Sequence, residues 1–328
     1  METEYPVQVA DIVSARKISV VVPLYNEEVM ITPFHTRLKK ALDSSPWNWE
    51  VIYVNDGSTD RSRLILEGIR NNATNVGVAS FTRNFGKEEA MSAGLKLATG
   101  DAVVIIDVDL QDPPELISAM AYAWASGADI VNMKRLERHG ESWMKKATAH
   151  IFYRLINRIS DVPVPADVGD FRLLSRRAVD AINSLEERNR FMKGLFAWVG
   201  YHSVTLEYNR EPRFAGTSKW KYWRLWNFAL EGITGFSIAP LKISSYVGVM
   251  CAGMAFLYAA YFFLKTLIIG DDVKGFPTLI VTVMILGGLQ LMAIGIIGEY
   301  LGRLFIESKR RPLYLLENYR APLQDHKK

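Results

Sequence analysis

The chain has 328 residues, 49% hydrophobic and 23% charged, a length that suggests about two structural units. Its net charge of +4 is small, and its basic residues gather around apolar segments near the C-terminus, which suits an anionic lipid surface or lipid phosphate better than nucleic acid. A single cysteine, Cys251, excludes an internal disulfide framework, and the five scattered histidines show no zinc-ligand spacing.

Met1 to Arg16 is mixed polar sequence without the apolar stretch of a signal peptide, so the domain that follows is expected to stay in the cytosol. Ile18 to Val22 is a β-branched run, followed by Pro23, the polar Tyr25-Asn26-Glu27-Glu28 and a helical pattern through Leu42. Glu50 to Val54 predicts a second strand, ending in Asn55-Asp56-Gly57-Ser58-Thr59-Asp60 before a helical pattern to about Arg70. Val76 to Ser80 and Val103 to Ile106 predict two more strands, with a helix over Lys87 to Leu97 between them. This alternation predicts an α/β domain with a doubly wound, mostly parallel sheet and a ligand crevice at the carboxyl ends of its strands. A dinucleotide fold is not indicated, because no G-x-G-x-x-G turn follows the first strand. Phe85-Gly86-Lys87-Glu88 likewise lacks the upstream glycine and the hydroxyl of a phosphate loop.

Further along, Ser142 to Ile159 carries an apolar stripe of Trp143, Ala147, Ile151, Leu155 and Ile159, with Lys145, Lys146, Arg154 and Arg158 elsewhere. It reads either as a core-facing helix or as one lying in the bilayer interface. Lys219 to Leu230 places Trp220, Trp223 and Trp226 among Lys221, Tyr222 and Arg224, the composition of an interfacial helix. Two long uncharged segments follow, Ile243 to Leu264 and Phe276 to Gly298, each near the ~20 residues that cross a bilayer as helix. Lys242 precedes the first, and Arg303, Lys309, Arg310 and Arg311 follow the second, while the connecting loop balances Lys265 and Lys274 with Asp271 and Asp272. The positive-inside rule then predicts the α/β domain and both termini on the cytosolic side of the cytoplasmic membrane. The expected division is an N-terminal segment 1–16, an α/β domain 17–235, a two-helix transmembrane region 236–306 and a tail 307–328. The tail reads either as an ordered segment pairing with a neighbouring subunit in a homo-oligomer or as a disordered end.

The most informative stretch is Ile105-Ile106-Asp107-Val108-Asp109-Leu110-Gln111-Asp112-Pro113-Pro114-Glu115, where a buried apolar run ends in four acidic residues. On an extended strand end, Asp107 and Asp109 project to the same side. Two such carboxylates remain ionised together only beside a cation. Mg²⁺ or Mn²⁺, held by Asp107 and Asp109 with the Gln111 amide oxygen, phosphate and water completing the shell, meets that need.

Val22-Pro23-Leu24-Tyr25-Asn26-Glu27, then Asn55-Asp56-Gly57-Ser58, then the acidic stretch resemble the ordered motifs of inverting family-2 glycosyltransferases of GT-A fold. Leu110 to Glu115, Val168-Gly169-Asp170-Phe171-Arg172-Leu173-Leu174 and Arg213 to Trp220 resemble the polyprenyl-phosphate branch, with its dolichyl-phosphate mannose synthases and bactoprenol glucosyltransferases. The resemblance implies that Pro23, Tyr25 and Glu27 line a nucleoside pocket and that Asp56 reads the base; read alone, Asp56 serves equally well as an Asp-Gly turn former. It further implies Asp107 beside ribose and diphosphate, and Asp109 with Gln111 on the metal. Asp170 stands where related enzymes keep a catalytic base, or it orients Arg172 or the sugar.

A lipid phosphate acceptor is already ionised and needs no general base, but it must approach an anionic donor, so positive charge is required on its side. Arg135, Arg172, Arg213 and Lys219 are the candidates, Arg offering a bidentate fork to phosphate. The expected reaction is transfer of a hexose, glucose first, from a UDP-sugar to undecaprenyl phosphate at the membrane surface. GDP-mannose or an amino-arabinose donor fits the same motifs. A processive synthase is disfavoured by the missing Gln-x-x-Arg-Trp motif and the small number of spans, and an inactive scaffold by the intact Asp107, Asp109 and Gln111.

Overall fold

The computed structural model describes residues 16–136, 168–188, 190–211, 239–269 and 275–323. The N-terminal segment before residue 16, both amphipathic segments at 142–159 and 219–230, Arg213, Lys219 and the loop holding Asp271, Asp272 and Lys274 lie outside the described residues.

The first half alternates as its patterning predicts: β1 (Lys17–Leu24), α1 (Glu28–Asp43), β2 (Asn48–Asn55), α2 (Ser62–Asn71), β3 (Val76–Phe81), α3 (Lys87–Leu97), β4 (Ala102–Ile105) and α4 (Leu116–Ala125). Then come β5 (Ile130–Arg135), β6 (Val168–Ser175), α5 (Arg176–Ser184), α6 (Met192–Trp198) and β7 (Ser203–Tyr208). Two long helices, α7 (Ala239–Ile269) and α8 (Phe276–Lys309), precede a last strand, β8 (Leu316–Arg320).

All eight strands form one sheet in the order β7-β5-β6-β4-β1-β2-β3-β8. The β1 to β4 strands are mutually parallel, with β1 between β2 and β4, so the order reverses there and a crevice opens at their carboxyl ends. The sheet is mixed rather than parallel throughout, because β6 runs antiparallel between β4 and β5 and β8 runs antiparallel along β3. That reversal brings the start of β6, Val168 to Asp170, to the same edge as the end of β4.

Strand alternation divides the core in two. Val20, Val22, Val51, Tyr53 and Val104 face α1, α2 and α4, packing on Phe34, Leu38, Leu66 and Met120. Val21, Ile52, Val54, Val103 and Ile105 face α3, α5 and α6, packing on Ala90, Met91, Val179 and Leu195. Strands buried on both faces explain why these runs read as continuously apolar. The tightest approach is at Gly94 of α3, where an added Cβ would stand 2.1 Å from Val21 Cγ1. Gly94→Ala should therefore destabilise the domain by about 1–3 kcal/mol through overpacking, outweighing the ~1 kcal/mol that alanine normally gains in a helix. Thermal melting checks this.

The α7 and α8 helices expose their apolar side chains, including Val249, Phe256, Met284 and Leu291. They contain apolar stretches at Leu241–Tyr258 and Thr282–Lys309, of mean hydropathy 1.4 and 1.7, and both helices are long enough to cross a membrane. A core helix of a water-soluble domain would have buried such a surface. After α8 the described residues of the tail are ordered and paired: β8 extends the chain's own sheet, from Val78↔Arg320 to Phe81↔Leu316. Pairing covers the otherwise open edge of β3.

Candidate active site

Four parallel strands deliver four loops to one edge. Asn26, after β1, adopts φ +53° and bonds the loop after β2: its N–H donates to Ser58 Oγ (3.0 Å) and its Oδ1 accepts Thr59 N–H (2.8 Å). Gly57 sits at φ +63°, and a Cβ there would lie 2.2 Å from the Arg83 carbonyl carbon, so only glycine lets the loops after β2 and β3 meet. Between these tips lies a polar cavity of about 350 Å³, lined among others by Tyr25, Asn55, Ser58, Arg83 and Asn84.

Next to it the end of β4 gathers charge. Lys87, on the first turn of α3, donates from Nζ to Asp107 (2.6 Å to Oδ1) and to Asp170 (2.6 Å to Oδ2). Lys193 Nζ stands 3.9 Å from the other oxygen of Asp170. The Lys87 side chain is partly exposed, and although desolvation of its ammonium opposes charge, the two carboxylates hold its pKa far above the ordinary lysine range. Burial likewise favours neutral Asp170, but Lys87, Lys193 and Arg172 overcome it and keep that carboxyl well below the usual range. Asp107 moves the other way: burial raises it, Lys87 opposes, and Asp170 and Asp109 add repulsion. An acidic pair with one lysine between them is therefore short of positive charge.

Asp107 follows β4 but does not extend it. The strand ends at Ile105, and Leu110 takes φ +57° as the chain turns, while the Asp109 carboxylate accepts the Gln111 N–H (3.1 Å). The expectation of two carboxylates aligned on an extended strand is corrected accordingly: a turn, not strand pleat, sets Asp109 and Gln111. The remaining acids of the stretch are architectural. Buried Asp112 accepts the Tyr208 hydroxyl and lies 3.7 Å from Arg210, and Glu115 accepts Arg37, which also grips Glu211 (2.7 Å). Arg210 reaches the site as well, 3.9 Å from Asp109.

Other expected residues fall less simply. Tyr25 lines the cavity, but Pro23 is buried within β1, paired in register with Val54, and does not line it. Glu27 is half-buried before α1, its N–H donating to Ser62 Oγ. Asp56, expected to read a base, is 3% exposed, and its carboxylate accepts Phe85 N–H (2.7 Å), Gly86 N–H (3.0 Å) and Asn84 Nδ2 (2.8 Å). Those bonds fix the Arg83-Asn84 wall from beneath. Arg135 packs over Gly169, with Nε 3.4 Å from the Tyr208 hydroxyl. Arg172 is 4% exposed, donates from Nη2 to Gly169 O (2.8 Å) and lies over the Phe196 ring (4.0 Å). Its Nε is buried without a partner, and with Lys193 and Asn132 it lines a second cavity of about 220 Å³. Burial lowers the Arg172 pKa to about 10, against the pull of Asp170 and Glu88.

Lys87, Lys193 and Arg210 were not foreseen, nor was Glu88. The Glu88 carboxyl accepts the Met192 N–H at the start of α6 (2.9 Å), and burial, reinforced by Asp170, pushes it up to about 7. Folded protein then holds a proton that the unfolded chain releases above 4.5, so stability falls as pH rises between those values. The native melting temperature should decline from about pH 5 to about pH 7.5, and Glu88→Gln, which keeps an acceptor for Met192, should flatten that slope.

The profile of glycosyl transferase family 2 matches residues 19–182, and that of the GtrB C-terminal hairpin matches residues 239–304, covering nearly all of α7 and α8. The bactoprenol glucosyl transferase of Shigella phage SfV is 47% identical over 302 residues, 92% of this chain and 98% of that protein. The uncharacterized glycosyltransferase sll0501 of Synechocystis is 47% identical over 302 residues, 92% of this chain and 95% of its own. A prophage bactoprenol glucosyl transferase homolog of Escherichia coli K12 is 46% identical over 301 residues, 92% of this chain and 98% of its own.

Proposed function

The chain belongs to glycosyl transferase family 2, and from that premise we propose that it moves glucose from UDP-glucose to a polyprenyl phosphate, releasing UDP. The observation that carries this reading is the meeting at one sheet edge of the Asp107–Gln111 turn, a polar cavity of nucleoside size and the lysines around Asp170. The relatives named bactoprenol glucosyl transferase support both the sugar and the acceptor.

The donor nucleoside enters the cavity between Tyr25 and Arg83, with its diphosphate running toward Asp107. Asp107 and Asp109 carboxylates and the Gln111 amide form an all-oxygen donor set, which fits hard Mg²⁺ or Mn²⁺. Among the described residues no cluster of three or more acidic, His or Cys ligands exists, so phosphate and water oxygens are needed to complete such a shell. When bound, the ion neutralises charge on the departing diphosphate. Lys87 adds fixed positive charge beside it. Asp170, kept strongly acidic, is a poor proton acceptor and serves to hold Lys87 and Lys193 in place. That suits an acceptor with no proton to lose. The lipid phosphate oxygen attacks the anomeric carbon opposite the diphosphate, so configuration inverts. Arg172 and Lys193 supply positive potential from the neighbouring cavity, joined by Arg135 beside Gly169 and by Arg213 and Lys219 further along the chain.

The α7–α8 hairpin associates the enzyme with the bilayer, and the basic residues at its outer ends, Lys242 and Arg303 to Arg311, favour a cytosolic catalytic domain. Membranes containing the full chain should incorporate label from UDP-glucose into added undecaprenyl phosphate, in preference to GDP-mannose and other UDP-sugars. Absence of labelled lipid with every donor would sink the proposal.

A further inference from the structure

The wall of the donor cavity farthest from the acidic turn is not made by the family 2 core alone. Glu317, beyond both membrane helices, lines the cavity with Arg63 of α2. In the β3–β8 ladder Ser80 pairs with Asn318 and Phe81 with Leu316, so Glu317 is the extra residue of a bulge. Bulges re-aim a side chain out of the alternation of its strand. Both Glu317 oxygens accept Arg63 Nη1 at 2.9 Å, while Arg63 Nε donates to Glu67 (3.2 Å). The guanidinium has five N–H groups in a rigid plane, and those on Nη2 are taken by neither carboxylate. The rest of the segment is fastened too: Tyr314 stacks on Phe81 at 4.9 Å, Thr82 N–H donates to Leu315 O (3.1 Å), and Arg70 donates to Ala321 O (3.0 Å).

We infer that Glu317 is a positioning residue of the donor site, holding Arg63 at the cavity wall to donate a hydrogen bond to a carbonyl oxygen of the nucleobase. The segment after the membrane hairpin thereby helps select uridine over cytidine nucleotides, whose ring edge presents an amino group where uracil presents a carbonyl. This rests on the reading of the cavity as the donor pocket.

UDP and CDP binding to the full chain in detergent, measured by calorimetry beside thermal melting, tests it. The native protein should prefer UDP. Glu317→Ala should weaken UDP binding about tenfold and draw the two affinities together, with Glu317→Asp recovering part of the preference. The charge swap Arg63→Glu with Glu317→Arg should restore the bridge and the melting temperature without restoring UDP affinity. If the swap restores UDP binding, or if the single variants change melting alone, the pair is only a structural strut and the inference falls. A native protein that binds neither nucleotide would overturn the donor-pocket reading itself, and this inference with it.

Discussion

Asp109→Asn should reduce glucose transfer by about a hundred- to a thousandfold while leaving the melting temperature within a few degrees of native. The substitution keeps size and retains an acceptor oxygen for the Gln111 N–H that the Asp109 carboxylate now takes at 3.1 Å, so the turn is preserved. What it removes is negative charge at the turn where an all-oxygen donor set is proposed to face the diphosphate. Loss of a group that stabilises charge developing only in the transition state appears in kcat rather than in substrate affinity. Asp112→Asn should behave differently. Asp112 is 1% exposed and engaged by Tyr208, so its substitution should lower stability first and transfer only as a consequence. Parallel melting curves and initial rates separate the two acids.

Lys87→Met has the second large effect. It leaves Asp107 and Asp170 without the cation between them, with Lys193, 3.9 Å from Asp170, and Arg172 left to offset their repulsion. Without Lys87 the Asp107 carboxyl, already raised by burial and by repulsion from Asp170, should rise further. Transfer should fall by about tenfold to a hundredfold, because a fixed positive charge beside the diphosphate is lost together with the alignment of both acids. Lys87 is partly exposed, so the stability cost should be modest. Lys87→Arg should recover part of the rate, and unchanged rates in Lys87→Met would remove this residue from the site.

Much of this was legible in the chain. The β1 to β4 strands follow from β-branched runs broken by turn residues, and α3 spans Lys87–Leu97 as its pattern predicts. The acidic stretch marked a candidate site because charge at the end of a buried strand needs a reason. Sequence could not divide that stretch into chemistry and scaffold, since the partners that claim Asp112 and Glu115 are Tyr208 and Arg37, 96 and 78 residues away. Lys87 escaped notice for a related reason. Phe85-Gly86-Lys87-Glu88 is no phosphate loop, yet the start of α3 still delivers its lysine to the site. The antiparallel insertion of β6 has no local signal, because a strand's direction depends on its neighbours rather than on its own residues. Glu317 is the extreme case, 254 residues from Arg63 and separated from it by the two long apolar helices.

The anomeric configuration of the lipid product tests the account most directly. Full-length protein in membranes, given UDP-glucose and undecaprenyl phosphate, should yield a glucosyl phosphate lipid whose purified material shows the β linkage by proton NMR, inverted from the α linkage of the donor. An α-linked product, or none at all, would contradict in-line attack by the lipid phosphate across from the Asp107–Gln111 turn.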